Sequence, residues 1–461
     1  MNILQQMVAQ LWSDFTKNGE KVLYQESSFD DWVENTMTAG RELCLNLIKL
    51  FLEEADRQFK QSEIRKRKFT IKAIRETTKS TLYGDLTLKR TYYQNRETKE
   101  YFFLLDNLLS WEKYSRMTLA VKAQILENVA EHTYQEAIEM IPHIGIHSKT
   151  TVMKIVHHEG RQLPNSPALP ERSERKAVKT LFIEADEDHV AYQDSRNRFM
   201  KLVYVHEGYD LTDPRHPLIN PHYFTGNYLG SDNEELWTEV LDYIEAHYQL
   251  EQIYLSGDGA KWIRNGADFI PDCKFILDRF HLRKYCKKAS VGIAGMDRTL
   301  YHWALGGETD FIQAYFKVRL SDSTVTVSQR QSLKQAELYL ANNATAIKDN
   351  SLTDYHGCSA EGHISHYLSR RLSSRPLGWS LVGAQSVARV RIFKLNGGHI
   401  ASYLQERQLQ AIQQEKAVKL DRRLNVRKNI KNKYYEAAQA AFSGHQRGQH
   451  SLWQRGIQVG W

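Results

Sequence analysis

Leu181-Phe182-Ile183-Glu184-Ala185-Asp186 is an apolar run that closes on a carboxylate, and the elements around it decide the fold. Its short length and apolar character predict a buried strand over 179–185. Working outward, Phe199 to His206 and Tyr223 to Leu229 read as second and third strands. Glu234 to Tyr248 reads as a helix with Leu236, Val240, Leu241 and Ile244 on one face. Gln252 to Gly257 is another buried strand, and Lys274-Phe275-Ile276-Leu277 a short one that ends at Asp278. Three antiparallel strands followed by α-β-α-β units predict a mixed sheet with helices on both faces.

That order matches a ribonuclease-H-like core, so the expected class is α/β. Asp258 closes a second apolar run, Ile253-Tyr254-Leu255-Ser256-Gly257-Asp258. Glu361 opens a helical stretch, Ser359 to Leu368. Hard divalent cations take oxygen ligands, and a two-metal phosphoryl-transfer site needs several acidic oxygens at one point. Asp186, Asp258 and Glu361 on strand ends and a facing helix would suit such a site, which points to nucleic-acid strand transfer. Taken singly, each has a plainer reading. An Asp after a strand usually serves a turn or cap, and a Glu in a first helical turn usually answers the helix dipole. Glu184, Glu187 and Asp188 also sit beside Asp186.

The chain has 461 residues, 41% hydrophobic and 25% charged, enough for about three domains of ~150 residues. No run of ~18 apolar residues marks a membrane span, and the N-terminus lacks a secretory layout. Cys44, Cys273, Cys286 and Cys358 form no CxxC pair, which fits a reducing cytoplasm. His356, Cys358, His363 and His366 match no common zinc spacing. Net charge is +7, while Lys416 to Trp461 alone holds ten Lys/Arg against Asp421 and Glu436, or +8. A basic tail points towards a polyanion, although a solvated helix face reads the same way.

Residues 1–115 read as a helical region with a hairpin, in which Gly84-Asp85 is the expected turn between Ser80–Tyr83 and Leu86–Tyr93. This ribbon, basic and rich in tyrosine, could lie on DNA or form a small structural sheet. Residues 116–160 suggest a helix-turn-helix. Thr133 would cap its second helix, and Ser148 would cap a recognition helix carrying Lys149, Thr150 and Thr151. A plain helical bundle fits that pattern equally. Prolines 164, 167 and 170 mark a linker over 161–178. A catalytic domain over 179–400 would contain a helical insertion at about 284–350, and 401–461 would be a helical basic tail.

Several strings resemble a known family. Ile183-Glu184-Ala185-Asp186, Ser256-Gly257-Asp258-Gly259-Ala260-Lys261-Trp262-Ile263 and Leu277-Asp278-Arg279-Phe280-His281-Leu282-Arg283-Lys284-Tyr285 look like bacterial insertion-sequence transposases of the Lre type. These were long catalogued as an uncharacterised family and are similar to Mutator-like transposases. Cys358 to His366 and Arg370 to Ser380 extend the match over nearly the whole chain. The resemblance implies a ribonuclease-H-like fold and an Asp-Asp-Glu metal site. Residue by residue, these are Asp186, Asp258 and Glu361, holding two Mg²⁺ (or Mn²⁺) ions about 4 Å apart with Asp186 bridging.

Asp278 and His281, three apart on a helix, share a face. His281 could hydrogen-bond a metal-bound carboxylate or a phosphate, or be an ordinary buried histidine. Trp262 could stack on a base near the scissile phosphate, or be a core residue. Arg370, Arg371 and Arg375 suit phosphate contact. Lys149 and Thr150 would read base edges, and Arg422, Arg423, Arg427 and Lys428 would spread charge along DNA. The expected activity is metal-dependent cleavage at element ends and strand transfer into target DNA, without a covalent protein intermediate. Expected partners are double-stranded DNA and a second copy, as homodimer or higher, in the cytoplasm at the nucleoid. A DNA-binding regulator or domesticated relative without chemistry is the alternative. A glycosidase using paired carboxylates leaves the tail and helix-turn-helix unexplained.

Overall fold

A computed structural model describes residues 3–146, 148–167, 175–194, 197–226, 232–352, 355–375 and 377–426, with side chains up to 415. The chain divides into two compact units. One comprises residues 1–128, 133–152 and 400–461, the other 129–132 and 153–399. The sheet of the second unit is mixed, and the architecture is α/β. No helix among the described residues is long and apolar enough to cross a membrane.

The first unit begins with α1 (Ile3–Leu23) and α2 (Phe29–Gln61). Ser28 caps α2, accepting from the Asp31 amide while the Asp31 carboxylate accepts from the Ser28 amide. After α3 (Glu63–Lys68) come β1 (Phe69–Thr81), β2 (Gly84–Asn95) and β3 (Tyr101–Phe103), in sheet order β1-β2-β3. The hairpin exists, but its turn lies two residues earlier than expected. Thr81 pairs with Gly84, so Leu82-Tyr83 form the loop. The Thr81 hydroxyl donates to the Gly84 carbonyl at 2.8 Å and accepts from the Tyr83 amide. Gly84 itself has φ +130, a conformation that a side chain opposes, and so serves as the first strand residue.

Both faces of this sheet meet the C-terminal part of α2, since Leu86 and Leu88 alternate with Thr91 and Tyr93 along β2. Leu86 and Leu88 meet Leu52, and Tyr93 and Phe69 meet Phe59. The buried Asp56 of α2 accepts from the Thr91 amide and hydroxyl, tying helix to strand. α4 (Leu104–Leu108), α5 (Leu119–Val129) and α6 (Tyr134–Glu139) follow. Thr133 caps α6 reciprocally with Glu136. α7 (Lys149–Glu159) starts directly after Ser148, whose carbonyl accepts from the Thr151 amide. The division between units falls inside α7.

In the second unit, β4 (Lys176–Ala191), β5 (Asn197–His206), β6 (His222–Gly226), β7 (Tyr248–Gly257) and β8 (Cys273–Leu277) form one sheet in order β6-β5-β4-β7-β8. β4 to β6 are antiparallel; β7 runs parallel to β4, and β8 parallel to β7. The parallel steps are made through α8 (Asp232–His247) and α9 (Lys261–Phe269). Odd-numbered Leu181, Ile183 and Ala185 of β4 join Leu236, Trp237, Val240 and Ile263 in one core, as the period of two requires. α10 (Arg279–Ser290), α11 (Met296–Gly306), α12 (Thr309–Ser321), α13 (Val327–Asn342) and α14 (Ala344–Lys348) form a second core around Leu282, Leu300, Phe316 and Leu333. α15 (Ala360–His363), a π-helical turn (Ile364–Ser369) and α16 (Arg370–Leu372) lead to α17 (Leu381–Leu395). α18 (Ile400–Val426) belongs to the first unit.

Candidate acidic site at the sheet centre

Three acids of β4, Glu184, Asp186 and Asp188, alternate with core residues and therefore share the face opposite the apolar core. All three are buried. Glu184 is fully engaged, and Asp188 is held through Oδ1 alone. Glu184 accepts from the Tyr204 hydroxyl, from Tyr209 Oη at 2.8 Å, and from His206 Nε2 at 3.1 Å. It also accepts from the Ser359 amide at 2.6 Å and hydroxyl at 3.0 Å. Burial alone would raise this carboxyl, but the His206 hydrogen bond and charge, with Tyr204 and Ser359, hold it down at about 2. Asp188 accepts from Ser369 Oγ at 2.9 Å and Ser373 Oγ at 2.8 Å. The segment carrying Glu361 is thus fastened to β4 in front of α15 and again behind the π-helical turn. Such turns inside helices often mark functional positions.

Asp186 lies between the two fastenings. Burial pushes it up to about 7. Asp258 and Glu361 push the same way, against the Glu187 amide and the charge of His281. The structure therefore places the three expected carboxylates and His281 in one electrostatic neighbourhood. Asp258 stands at the end of β7, next to β4 in the sheet. Glu361 is exposed on the first turn of α15. Asp278 follows β8, caps α10 through the Phe280 amide, and lies 2.9 Å from His281 Nδ1. Burial would lower His281, but the Asp278 hydrogen bond and charge, with Asp258 and Asp186, outweigh it and raise the imidazole.

The same aspartates also do local work. Asp186 Oδ1 accepts from the Glu187 amide, and Asp258 Oδ1 from the Ala260 amide at 2.8 Å. Among the described residues, no three His, Cys, Asp or Glu side chains are gathered closely enough to hold a metal ion as they stand. The donor set still suits a hard divalent ion. It consists of carboxylate oxygens, and a nearby cation would offset the burial that raises Asp186.

Two expected DNA contacts are corrected. Trp262 is only 9% exposed; its ring lies against Trp237 at 5.9 Å and under Lys201, inside the apolar core. No face of it is available to a base. Arg371 is 7% exposed and spends its guanidinium on the Val129 and His132 carbonyls and the Trp379 ring. Arg370 and Arg375 are exposed, as are Lys149 and Thr150 at the start of α7. Arg422 and Arg423 lie on the backbone of α18, while Arg427 and Lys428 lie outside the described residues. Sequence reasoning missed the Glu184 and Asp188 fastenings. The acid-every-second-residue pattern of β4 was their one local signal.

A family model described as "Uncharacterised protein family (UPF0236)" matches residues 24–408. The chain is similar to a UPF0236 protein of Caldanaerobacter subterraneus subsp. tengcongensis, 34% identical over 404 residues, or 87% of this chain and 83% of the relative. The name of that relative joins eleven locus designations. Another UPF0236 protein of the same organism is 36% identical over 371 residues, 80% of this chain and 78% of its own length. A UPF0236 protein in the vanSb 3′ region of Streptococcus gallolyticus is 23% identical over 396 residues, covering 82% and 85%.

Proposed function

For a chain that belongs to the UPF0236 family, we propose the activity of a DNA transposase, cleaving at element ends and transferring the strand into target DNA. The observation that carries this reading is the burial of Asp186 in the joint field of Asp258 and Glu361. The sheet order, with β4 central, supports a ribonuclease-H-like core. A relative named for eleven loci also fits a gene that multiplies within a genome.

Asp186, Asp258 and Glu361 would hold Mg²⁺ or Mn²⁺, which when bound supplies Lewis acidity for phosphoryl transfer. His281, oriented by Asp278, would donate to a phosphate oxygen. Arg370 and Arg375 would contact the DNA backbone, and Lys149 and Thr150 the base edges. The partners proposed are duplex DNA and a second copy of the chain, since two element ends must be joined. The setting proposed is the cytoplasm, at the nucleoid.

Asp258→Asn and Glu361→Gln should each abolish Mg²⁺- or Mn²⁺-dependent nicking of element-end DNA, at unchanged thermal stability. Retained cleavage by either variant would sink the proposal. A regulator without chemistry is the second reading, favoured by the local capping of Asp186 and Asp258. It expects DNA binding but no nicking by the unaltered protein.

A further inference from the structure

The face of the β1-β2-β3 sheet that carries Leu86 and Leu88 continues beyond them into a column of stacked side chains unrelated to the acidic site. Arg75 lies 5.1 Å from the centroid of the Tyr92 ring. Tyr92 in turn stacks on Tyr101, with centroids 5.4 Å apart and planes at 16°. Phe103 packs on Tyr92 at 4.7 Å, and Arg90 covers Phe103 at 3.8 Å. Tyr101 is 53% exposed, although it sits on a strand and belongs to neither core cluster beneath the sheet. It is also on β3, the edge strand. The column thus begins in a guanidinium and ends in a large ring open to solvent.

The surroundings are strongly basic. From Ser62 to Arg96 the chain has ten Lys/Arg against Glu63, Glu76 and Asp85, so 10 − 3 = +7. These 35 residues equal the net charge of the whole chain. Within that stretch Lys79 is buried and Arg90 is ion-paired with Asp106, whereas Arg75 is exposed on the face of the column, Lys72 at the bulge beside it, and Lys89 on the opposite face. A polyanion with exposed flat rings meets both features at once. Its phosphates take the lysines and arginines, and its bases extend the ring column. A duplex keeps its base faces inside the stack and can satisfy only the first.

We propose that this sheet face binds an unpaired nucleic-acid strand, with a base stacked on Tyr101. The site is independent of the strand-transfer reading, because it needs neither metal nor the acidic residues. The test uses the full-length protein in EDTA, which removes any contribution of metal-dependent cleavage. Fluorescence anisotropy would follow labelled 20-nucleotide poly-dT, poly-rU and a 20-base-pair duplex at fixed salt.

Tyr101→Ala should weaken binding of the single strands by roughly five- to a hundredfold, and leave duplex affinity unchanged. Tyr101→Trp should restore it, because stacking needs a ring and no hydroxyl. A stronger effect with dT than with rU, or the reverse, would identify the strand chemistry. Replacing Arg75 with alanine should weaken all three ligands and flatten their salt dependence. Because Tyr101 is half exposed at an edge, the variant should melt with the parent protein. Single-strand affinity indifferent to Tyr101→Ala would overturn the proposal. So would an equal loss on duplex, which would make the ribbon a groove binder instead.

Discussion

Glu184 is the residue on which the geometry around Glu361 most depends. Five donors converge on its carboxylate, two of them from Ser359, immediately before α15. Glu184→Gln keeps the shape but loses the charge, and it turns one acceptor into a donor facing donors. Charge-assisted hydrogen bonds of this kind contribute about 1.5–3 kcal/mol each, and a buried donor left unpaired costs a similar amount. The variant should therefore lose at least about 2 kcal/mol in a urea melt. The sign of the pH dependence follows from the depressed carboxyl. Its contribution is fully present above the ordinary value of 4.5 and is lost as pH falls towards about 2. Stability of the unaltered protein should drop through that window by an extra amount, of order 3 kcal/mol, that Glu184→Gln lacks. Parallel curves for the two proteins would show that Glu184 contributes no charge-dependent stability. In the sequence, Glu184 was one more acid beside Asp186; only its four partner residues, up to 175 residues away, distinguish the two.

At the scale of elements, α9 depends on a residue without a side chain. A Cβ on Gly266 would lie 2.3 Å from two carbons of the Trp237 indole. Trp237 is 1% exposed and donates from Nε1 to the Trp262 carbonyl, so it cannot swing away. Gly266→Ala gains up to about 1 kcal/mol of helix propensity, but it overpacks the core at a cost of about 3 kcal/mol. The net result should be a lowered melting temperature, and an unchanged or raised one would refute this account of the packing. The strands of the second unit were legible because their apolar runs are short and bounded by turn residues. β4, β5, β7 and β8 fall where expected, with β4 and β7 longer. The hairpin turn was not. Gly84-Asp85 is a good turn dipeptide locally, but Leu86 and Leu88 must face Leu52 of α2, and that register moves the turn to Leu82-Tyr83.

At the scale of the whole molecule, the proposed division of labour separates charge from base reading. Removing the segment after Glu415 takes away more positive charge than the net excess of the chain. It should weaken binding to all duplexes alike and flatten the salt dependence, as fewer counterions are released. Replacing Lys149 and Thr150 with alanine should instead erase the preference for element ends over random DNA. Equal losses on both DNAs from the second change would show that base reading lies elsewhere on the molecule.

By itself, the sequence determined the local choices: which segments are strands, which are helices, and that Thr133 starts a helix. Periodicity and capping act over a few residues and are written into neighbouring side chains. It also determined that Asp258 follows a strand and that Glu361 begins a helix, but the strand expected to stop before Asp186 runs on to Ala191, because pairing with β5 continues through Asp188, and Asp186 lies within it. Only the tertiary structure decided what lies next to these residues. Strand order β5-β4-β7-β8 makes the strands of Asp186 and Asp258 neighbours, and the hold of Glu184 and Asp188 on Ser359, Ser369 and Ser373 fastens the segment that carries Glu361 to β4. The same long-range packing removed Trp262 and Arg371 from the candidate surface, because burial is a property of what lies opposite a residue and not of the residue itself.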